Sequence, residues 1–168
     1  RENMVVGQAI RRLVNLVLRE PMQPDPDTGD ETLDRKIVER WNKWAGDKRA
    51  CDARGIMTFH RMAKLVLRSV IRDGDIVVSP VKTGALQCFE AHRLRSPRGA
   101  PANIIHGVEV DPATAKPIAY HIVEEAPSGK RTISGVKFTR LSAYDGGDGS
   151  EVQTTFHVYA PARLSQTR

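Results

Sequence analysis

The chain has 168 residues, 40% of them apolar, and its 26 basic residues outnumber 20 acidic ones to give a formal net charge of +6. This length suits one medium-sized domain or a two-part region of a larger protein, and the apolar content supports a buried core. Arg19 and Arg68 interrupt the longest apolar runs far short of the ~20 residues that a membrane-spanning helix needs. The positive charge permits contact with nucleic acid or with an acidic protein surface and selects neither.

The start of the sequence and its two cysteines both bear on cellular context. Residue 1 is arginine and Met4 lies inside a predicted helix, so no secretory signal is evident and we expect the sequence to be a piece of a longer protein. Cys51 and Cys88 are far apart and lack metal-ligand spacing. Two reduced thiols in a cytosolic setting are therefore predicted.

The first 75 residues are predicted to be helical. Apolar residues recur at helical spacing from about Asn3 to Arg19, and a proline-rich polar linker follows. A second helix is predicted from about Thr32 to Ala45. It carries Trp41 and Trp44, which we expect to anchor a helix–helix core rather than a binding platform.

A third helix is predicted to begin after Thr58 and to end at Asp73, with Gly74 in the left-handed region that follows a helix. Its side chains divide into an apolar face and a cationic face. The predicted core face consists of Phe59, Met62, Ala63, Val66, Leu67 and Val70. The opposite side carries Arg61, Lys64, Arg68 and Arg72.

After Gly74 the apolar period changes from helical to alternating, which predicts strands. Two hairpins are expected, one around Lys82-Thr83-Gly84 and one around the turn DPATAKP. The predicted strands cover residues 76–81, 85–90, 104–110, 118–123, 136–141 and 154–159. The sequence thus predicts an α+β fold: about three N-terminal helices in residues 1–75, then a mostly antiparallel β meander in residues 76–168.

The net charge is concentrated on the third helix and the segment that leads to it. From Lys48 to Arg72 there are seven basic residues and one acidic residue, Asp52, whereas the rest of the chain has 19 of each. A solvated helix face is the default explanation for such a run. Cations without acidic partners at i,i+4 spacing repel one another, however, so an anionic partner explains them equally well. That partner would be DNA phosphate or an acidic face on a neighbouring subunit.

No pattern in the sequence predicts catalysis or metal binding. The histidines occur singly, without HxH, HExxH or CxxC spacing, so structural or solvent-facing roles are expected for them. Asp73 and Asp75 are reminiscent of a nuclease carboxylate pair, but they flank a helix-ending glycine. GxSxG and P-loop motifs are absent from the sequence. We assign no catalytic, cofactor-binding or metal-binding residue, and the chain is predicted not to be an enzyme.

Several short motifs follow one another in a specific order. They are CD..G....F.RMAKLVLRS.IRDGD in 51–75, G.LQ.FEAHRL in 84–94, GVEVD in 107–111, P.AYHI in 117–122 and FHVYAPARLSQTR in 156–168. In this order and spacing the chain resembles the lambda family of phage portal proteins. The opening VVGQAIRRLVNLVL is similar to a helix that precedes this region in the family.

The resemblance implies a structural subunit of a ring, usually a dodecamer, at one capsid vertex of a phage head. Through that ring the terminase pumps DNA, and the tail joins it afterwards. The chain is similar to the outer, wing-like, N-terminal portion of the subunit. Channel-lining and terminase-gripping parts are missing from it. The implied partners are other portal subunits, double-stranded DNA passing through the ring, and terminase and tail-joining proteins through the missing parts. The implied location is the virion, with assembly in the bacterial host cytoplasm or expression from a prophage.

Two other functions are compatible with the sequence. A non-specific nucleic-acid-binding module would use the basic helix face, and its affinity would fall steeply with salt. A metal-dependent nuclease would need Asp73 as a ligand, which the role of Gly74 in ending the helix disfavours.

Overall fold

The computed structural model describes residues 4–124, 136–145 and 152–161. Helices come first and antiparallel sheets follow, which confirms the predicted α+β class. Within the described residues the α-helices are α1 (Met4–Val17), α2 (Glu31–Gly46), α3 (Lys48–Cys51) and α4 (Phe59–Asp73). The strands are β1 (Asp75–Pro80), β2 (Leu86–Glu90), β3 (Ile104–Ile105), β4 (Val108–Val110), β5 (Pro117–Val123), β6 (Phe138–Ser142), β7 (Tyr144–Asp145), β8 (Val152–Gln153) and β9 (Phe156–Tyr159).

The one-turn helix α3 was not predicted from the sequence. It forms because Asp47, which follows α2, accepts a hydrogen bond at 2.9 Å from the backbone N–H of Arg49. That is the capping interaction that starts a helix. The other three helices match the predicted ones closely at both ends.

The predicted strand 104–110 is wrong as a single element. The chain reverses at His106 and Gly107, whose φ angles are 52° and 90°. Positive φ at two successive residues is the geometry of a tight hairpin turn. Ile104 therefore pairs with Glu109 in an antiparallel ladder instead of continuing into it.

The strands of the described residues form three sheets. One has the order β2-β1-β9, the second is the meander β3-β4-β5-β6, and the third is the pair β7-β8. The predicted hairpin around Lys82-Thr83-Gly84 is confirmed, with Gly84 at φ 81° and the N–H of Val81 bonded to the carbonyl of Ala85 at 2.8 Å. Residues 146–151 and the motif residues beyond 161 lie outside the described residues.

The chain divides into two compact units, Arg1–Arg72 with Pro80–Gln87 and Asp73–Ser79 with Cys88–Arg168. In the first unit Trp41 and Trp44 both contact Phe59, with ring centroids 4.9 and 5.4 Å apart, so the tryptophans connect α2 to α4. The indole N–H of Trp41 also donates to the carbonyl of Met22 at 3.0 Å. All three rings are half-buried.

Two helices of the first unit bury less of their predicted apolar faces than expected. In α1 only Val14 is buried, whereas Leu13 and Val17 are 47% and 61% exposed. In α4 the fully buried residues are Met62 and Ser69, the second of which lies outside the predicted face. The rest of the predicted α4 face is half-buried.

The second unit has a single main core cluster among the described residues. It is contributed by strands of two sheets and by the segment that connects them. Its buried members are Val77, Phe89, Leu94, Val108, Val110, Tyr120, Ile122 and Ala143.

Candidate functional site

The four cations predicted as partner-binding residues all lie on α4, at spacings that place them on one side of the helix. Arg61 and Arg72 are exposed, and Lys64 and Arg68 are half-buried. Arg68 and Arg72 take part in interactions within the protein. Arg61 and Lys64 form no hydrogen bond or ion pair with any residue that the structure describes. A partner for this face stays a prediction.

Exposed cations continue on the N-terminal side of α4. Lys48 and Arg49 lie on α3, and Arg54 lies in the loop between α3 and α4. All three side chains are exposed. We refer to residues 48–72, which carry the excess of +6, as the cationic segment.

An acidic segment that the sequence interpretation missed lies between α1 and the first turns of α2. Residues 20–34 contain six acidic residues and no basic residue. They are Glu20, Asp25, Asp27, Asp30, Glu31 and Asp34. Five of the six are exposed and Asp34 is half-buried. The composition alone could have revealed this segment, which we refer to as the acidic segment.

The acidic segment is held in place by its own hydrogen bonds. Asp30 caps α2 by accepting from the N–H of Thr32 at 2.8 Å, and Asp34 accepts from the hydroxyl of Thr28 at 2.7 Å. Asp25 and Asp27 make no hydrogen bond or ion pair within the described part of the chain. Their charges are therefore available to a partner.

Asp52 organises the loop between α3 and α4. Its carboxylate accepts hydrogen bonds from the backbone N–H groups of Arg54, Ile56 and Met57 at 2.9–3.0 Å, and the residue is 4% exposed. Burial alone would raise the pKa of Asp52, but these three hydrogen bonds outweigh it and hold the pKa below its ordinary value. Asp52 is therefore a buried structural anion and is unavailable to a ligand.

Cys51 lies beside this loop as a buried free thiol. Its Sγ contacts the carbonyl oxygens of Ala45 at 3.8 Å and Met57 at 3.4 Å. Burial raises the pKa of the thiol, so it remains protonated near neutral pH. Cys88 is half-buried on β2, and no disulfide joins it to Cys51, which agrees with the predicted reduced thiols.

A second charged cluster lies on the sheet β3-β4-β5-β6. Glu109 accepts from Arg140 Nε at 2.8 Å and Arg140 Nη2 at 3.1 Å, and its second contact is His121 Nε2 at 2.9 Å. The hydrogen bonds from Arg140 are the main reason that the pKa of Glu109 falls to about 2. The cluster joins three neighbouring strands, so it stabilises the sheet.

Glu109→Gln is expected to lower the free energy of unfolding by about 2 kcal/mol at pH 7, because Arg140 and His121 lose a charged acceptor. The folded pKa of about 2 lies below the ordinary 4.5, so this stabilisation is complete above pH 4.5 and is lost as the pH falls towards 2. Urea denaturation at pH 7 and pH 3 should show a smaller difference between wild type and variant at pH 3. Glu124→Gln is the control, since that carboxylate accepts from Thr139 at an exposed site. Equal differences at the two pH values would contradict the assignment.

A third polar pair is buried between β1 and β9. His157 Nε2 lies 2.9 Å from Asp75 Oδ2, with side chains 3% and 4% exposed. The rings of Tyr120 and Tyr159 pack against the imidazole, with centroids 5.6 and 4.6 Å away. Burial raises the pKa of Tyr120 to about 12, so its hydroxyl stays neutral. The pair connects the two strands.

Among the described residues no three His, Cys, Asp or Glu side chains converge in a group that could hold a metal ion. None of the described helices is long and apolar enough to cross a bilayer. The buried carboxylates and imidazoles described above each contact the backbone or side chains of a loop or a sheet.

The sequence profile of the phage portal proteins of the lambda family matches residues 1–168. The chain therefore belongs to the lambda family of phage portal proteins, which confirms the resemblance seen in its motifs. This is a structural family whose members are components of the virion. A search of curated proteins gave no significant match.

Proposed function

We propose that this chain is the N-terminal, wing-like portion of a portal subunit, and that it acts by assembling with other copies into a ring. The ring forms the DNA entry and exit vertex of the capsid, for genome packaging and tail joining. No catalysis is assigned to the chain. The observation that carries the proposal is the family match over residues 1–168.

The local structure of the motif residues supports this proposal. Asp52 of the CD..G motif anchors the loop before α4, and Gly107 of the GVEVD motif forms the β3–β4 turn. Both residues have a role in the local fold. Motifs with that role are expected in a family whose members share an architecture and assemble.

The proposed partners follow from the same role. Other portal subunits contact this region directly, and double-stranded DNA passes through the assembled ring. Terminase and tail-joining proteins bind parts of the subunit outside this sequence. We also propose that the cations of α4 face an anionic partner, either a neighbouring subunit or DNA. Those cations are Arg61, Lys64, Arg68 and Arg72.

The test of the proposed function is the oligomeric state of the full-length protein. Native mass spectrometry and negative-stain electron microscopy should show closed rings with one dominant copy number. This sequence expressed alone serves as the comparison, since the missing parts supply ring contacts in the proposal. Full-length protein that stays monomeric at micromolar concentration would remove the proposal.

A further inference from the structure

The first compact unit carries two segments whose net charges are opposite in sign and equal in magnitude. The acidic segment, residues 20–34, has six acidic residues and no basic one, for −6. The cationic segment, residues 48–72, has seven basic residues and one acidic one, for +6. Both belong to the part of the chain from Arg1 to Arg72.

No ion pair joins the two segments among the described residues. None of the six carboxylates of the acidic segment forms an ion pair with a described residue. The same holds for five cations of the cationic segment, which are Lys48, Arg49, Arg54, Arg61 and Lys64. Most of these side chains are exposed, and each set of like charges repels itself. Both segments therefore present unbalanced charge to the surroundings.

A ring requires a heterologous contact, in which one patch of a subunit binds a different patch of the next subunit. Two patches of opposite charge on the same chain meet this requirement without any further partner. We propose that the cationic segment of one subunit binds the acidic segment of its neighbour in the portal ring. This inference rests on the proposed function, since it names the surfaces through which the subunits meet.

The acidic segment is suited to this contact by its local structure. Asp30 and Asp34 fix its C-terminal end by capping and hydrogen bonding. Asp25 and Asp27, which each follow a proline, form no hydrogen bond or ion pair with a described residue. Prolines restrict the backbone, so less conformational entropy is lost when the segment is bound. Charge complementarity at such a surface sets subunit orientation and association rate, and it weakens as salt screens it.

The test uses two double variants of the full-length protein. Arg61→Glu with Lys64→Glu lowers the net charge of the cationic segment from +6 to +2, and Asp25→Lys with Asp27→Lys raises that of the acidic segment from −6 to −2. Each variant alone weakens the charge complementarity at every contact, so the protein concentration at half-assembly should rise about tenfold or more. In an equimolar mixture a ring with alternating variants has two kinds of contact. Half of the contacts join the two unchanged segments, and the other half join the two changed segments, whose reversed charges are again opposite in sign. Rings should then return, and native mass spectrometry should find equal numbers of the two variants in them.

The control is Arg12→Glu with Arg19→Glu, which lowers the net charge by the same amount as Arg61→Glu with Lys64→Glu, at exposed positions outside both segments. It should assemble like wild type, and thermal melting should show that all variants are folded. If the wild type forms rings and both charge-changed variants assemble as well as it does, this inference is overturned and the proposed function stands. If the variants are impaired in ring assembly and mixing them does not restore rings, the inference is also overturned. Loss of duplex DNA binding by the variants would then identify DNA as the partner. Absence of wild-type rings would remove the proposed function and this inference together.

Discussion

Gly107→Ala is expected to lower the free energy of unfolding by about 4 kcal/mol. A Cβ at this position would lie 2.5 Å from the backbone N of Arg95 and 2.9 Å from the carbonyl carbon of Leu94. Backbone atoms do not move aside as a flexible side chain does, so overpacking of this kind costs about 1–3 kcal/mol. The φ of 90° adds a further penalty of about 1–2 kcal/mol for any residue with a Cβ.

Gly84→Ala is the matched control for this prediction. Gly84 has a similar φ of 81° in a hairpin turn, but nothing lies within 4 Å of its added Cβ. Its substitution should therefore cost only the conformational penalty, about 1 kcal/mol. Chemical denaturation of both variants separates the two causes. Equal losses of stability at the two sites would show that the contact with Leu94 and Arg95 is unimportant.

Asp52→Ala should lower the free energy of unfolding by about 3 kcal/mol. The substitution leaves three backbone N–H groups of the loop before α4 without their acceptor, in a position that is 4% exposed. The pKa of Asp52 is lower in the folded protein than its ordinary value of 3.8. The stabilisation is therefore complete above that value and is lost as the pH falls below it. Urea denaturation at pH 7 measures the loss.

The control for Asp52 is Asp47→Ala. Asp47 accepts a hydrogen bond from one backbone N–H, that of Arg49, at an exposed helix start. Loss of such a cap costs about 1 kcal/mol. If Asp52→Ala were no more destabilising than Asp47→Ala, the three hydrogen bonds of the buried carboxylate would not be significant.

Local patterns in the sequence predicted most of the secondary structure. Helical periodicity placed α1, α2 and α4, and glycine positions placed the C-terminal end of α4 and the β1–β2 turn. The split of residues 104–110 was missed because the run of apolar residues there concealed a turn at His106, a residue type with a Cβ. The exposure of α1 was missed for a different reason. Periodicity shows which side of a helix is apolar, but it does not show whether another element covers that side.

The sequence predicted candidate-site residues only where the residues of one site lie close together in the chain. The cations of α4 stand on one helix, so their spacing in the sequence reveals them. The pair of Asp75 and His157 joins residues 82 positions apart, and nothing local indicates that they meet. The same holds for Glu109 with Arg140, which are 31 positions apart. The acidic segment could be seen in the sequence by counting charges locally. It was missed because the residues outside 48–72 were counted together, and their 19 acidic and 19 basic residues cancel.

The strand order β2-β1-β9 has a consequence for how the chain is made. β1 ends at Pro80, and β9, which completes its other edge, begins at Phe156. At a ribosomal rate of roughly 5–20 residues per second, several seconds separate the synthesis of the two strands. During that interval β1 exposes one open edge and buries neither Asp75 nor Ile76 as the finished sheet does. The edge of β1 is therefore open to pairing with another chain until β9 has been synthesised, and in the finished sheet β9 takes its place as the outer strand.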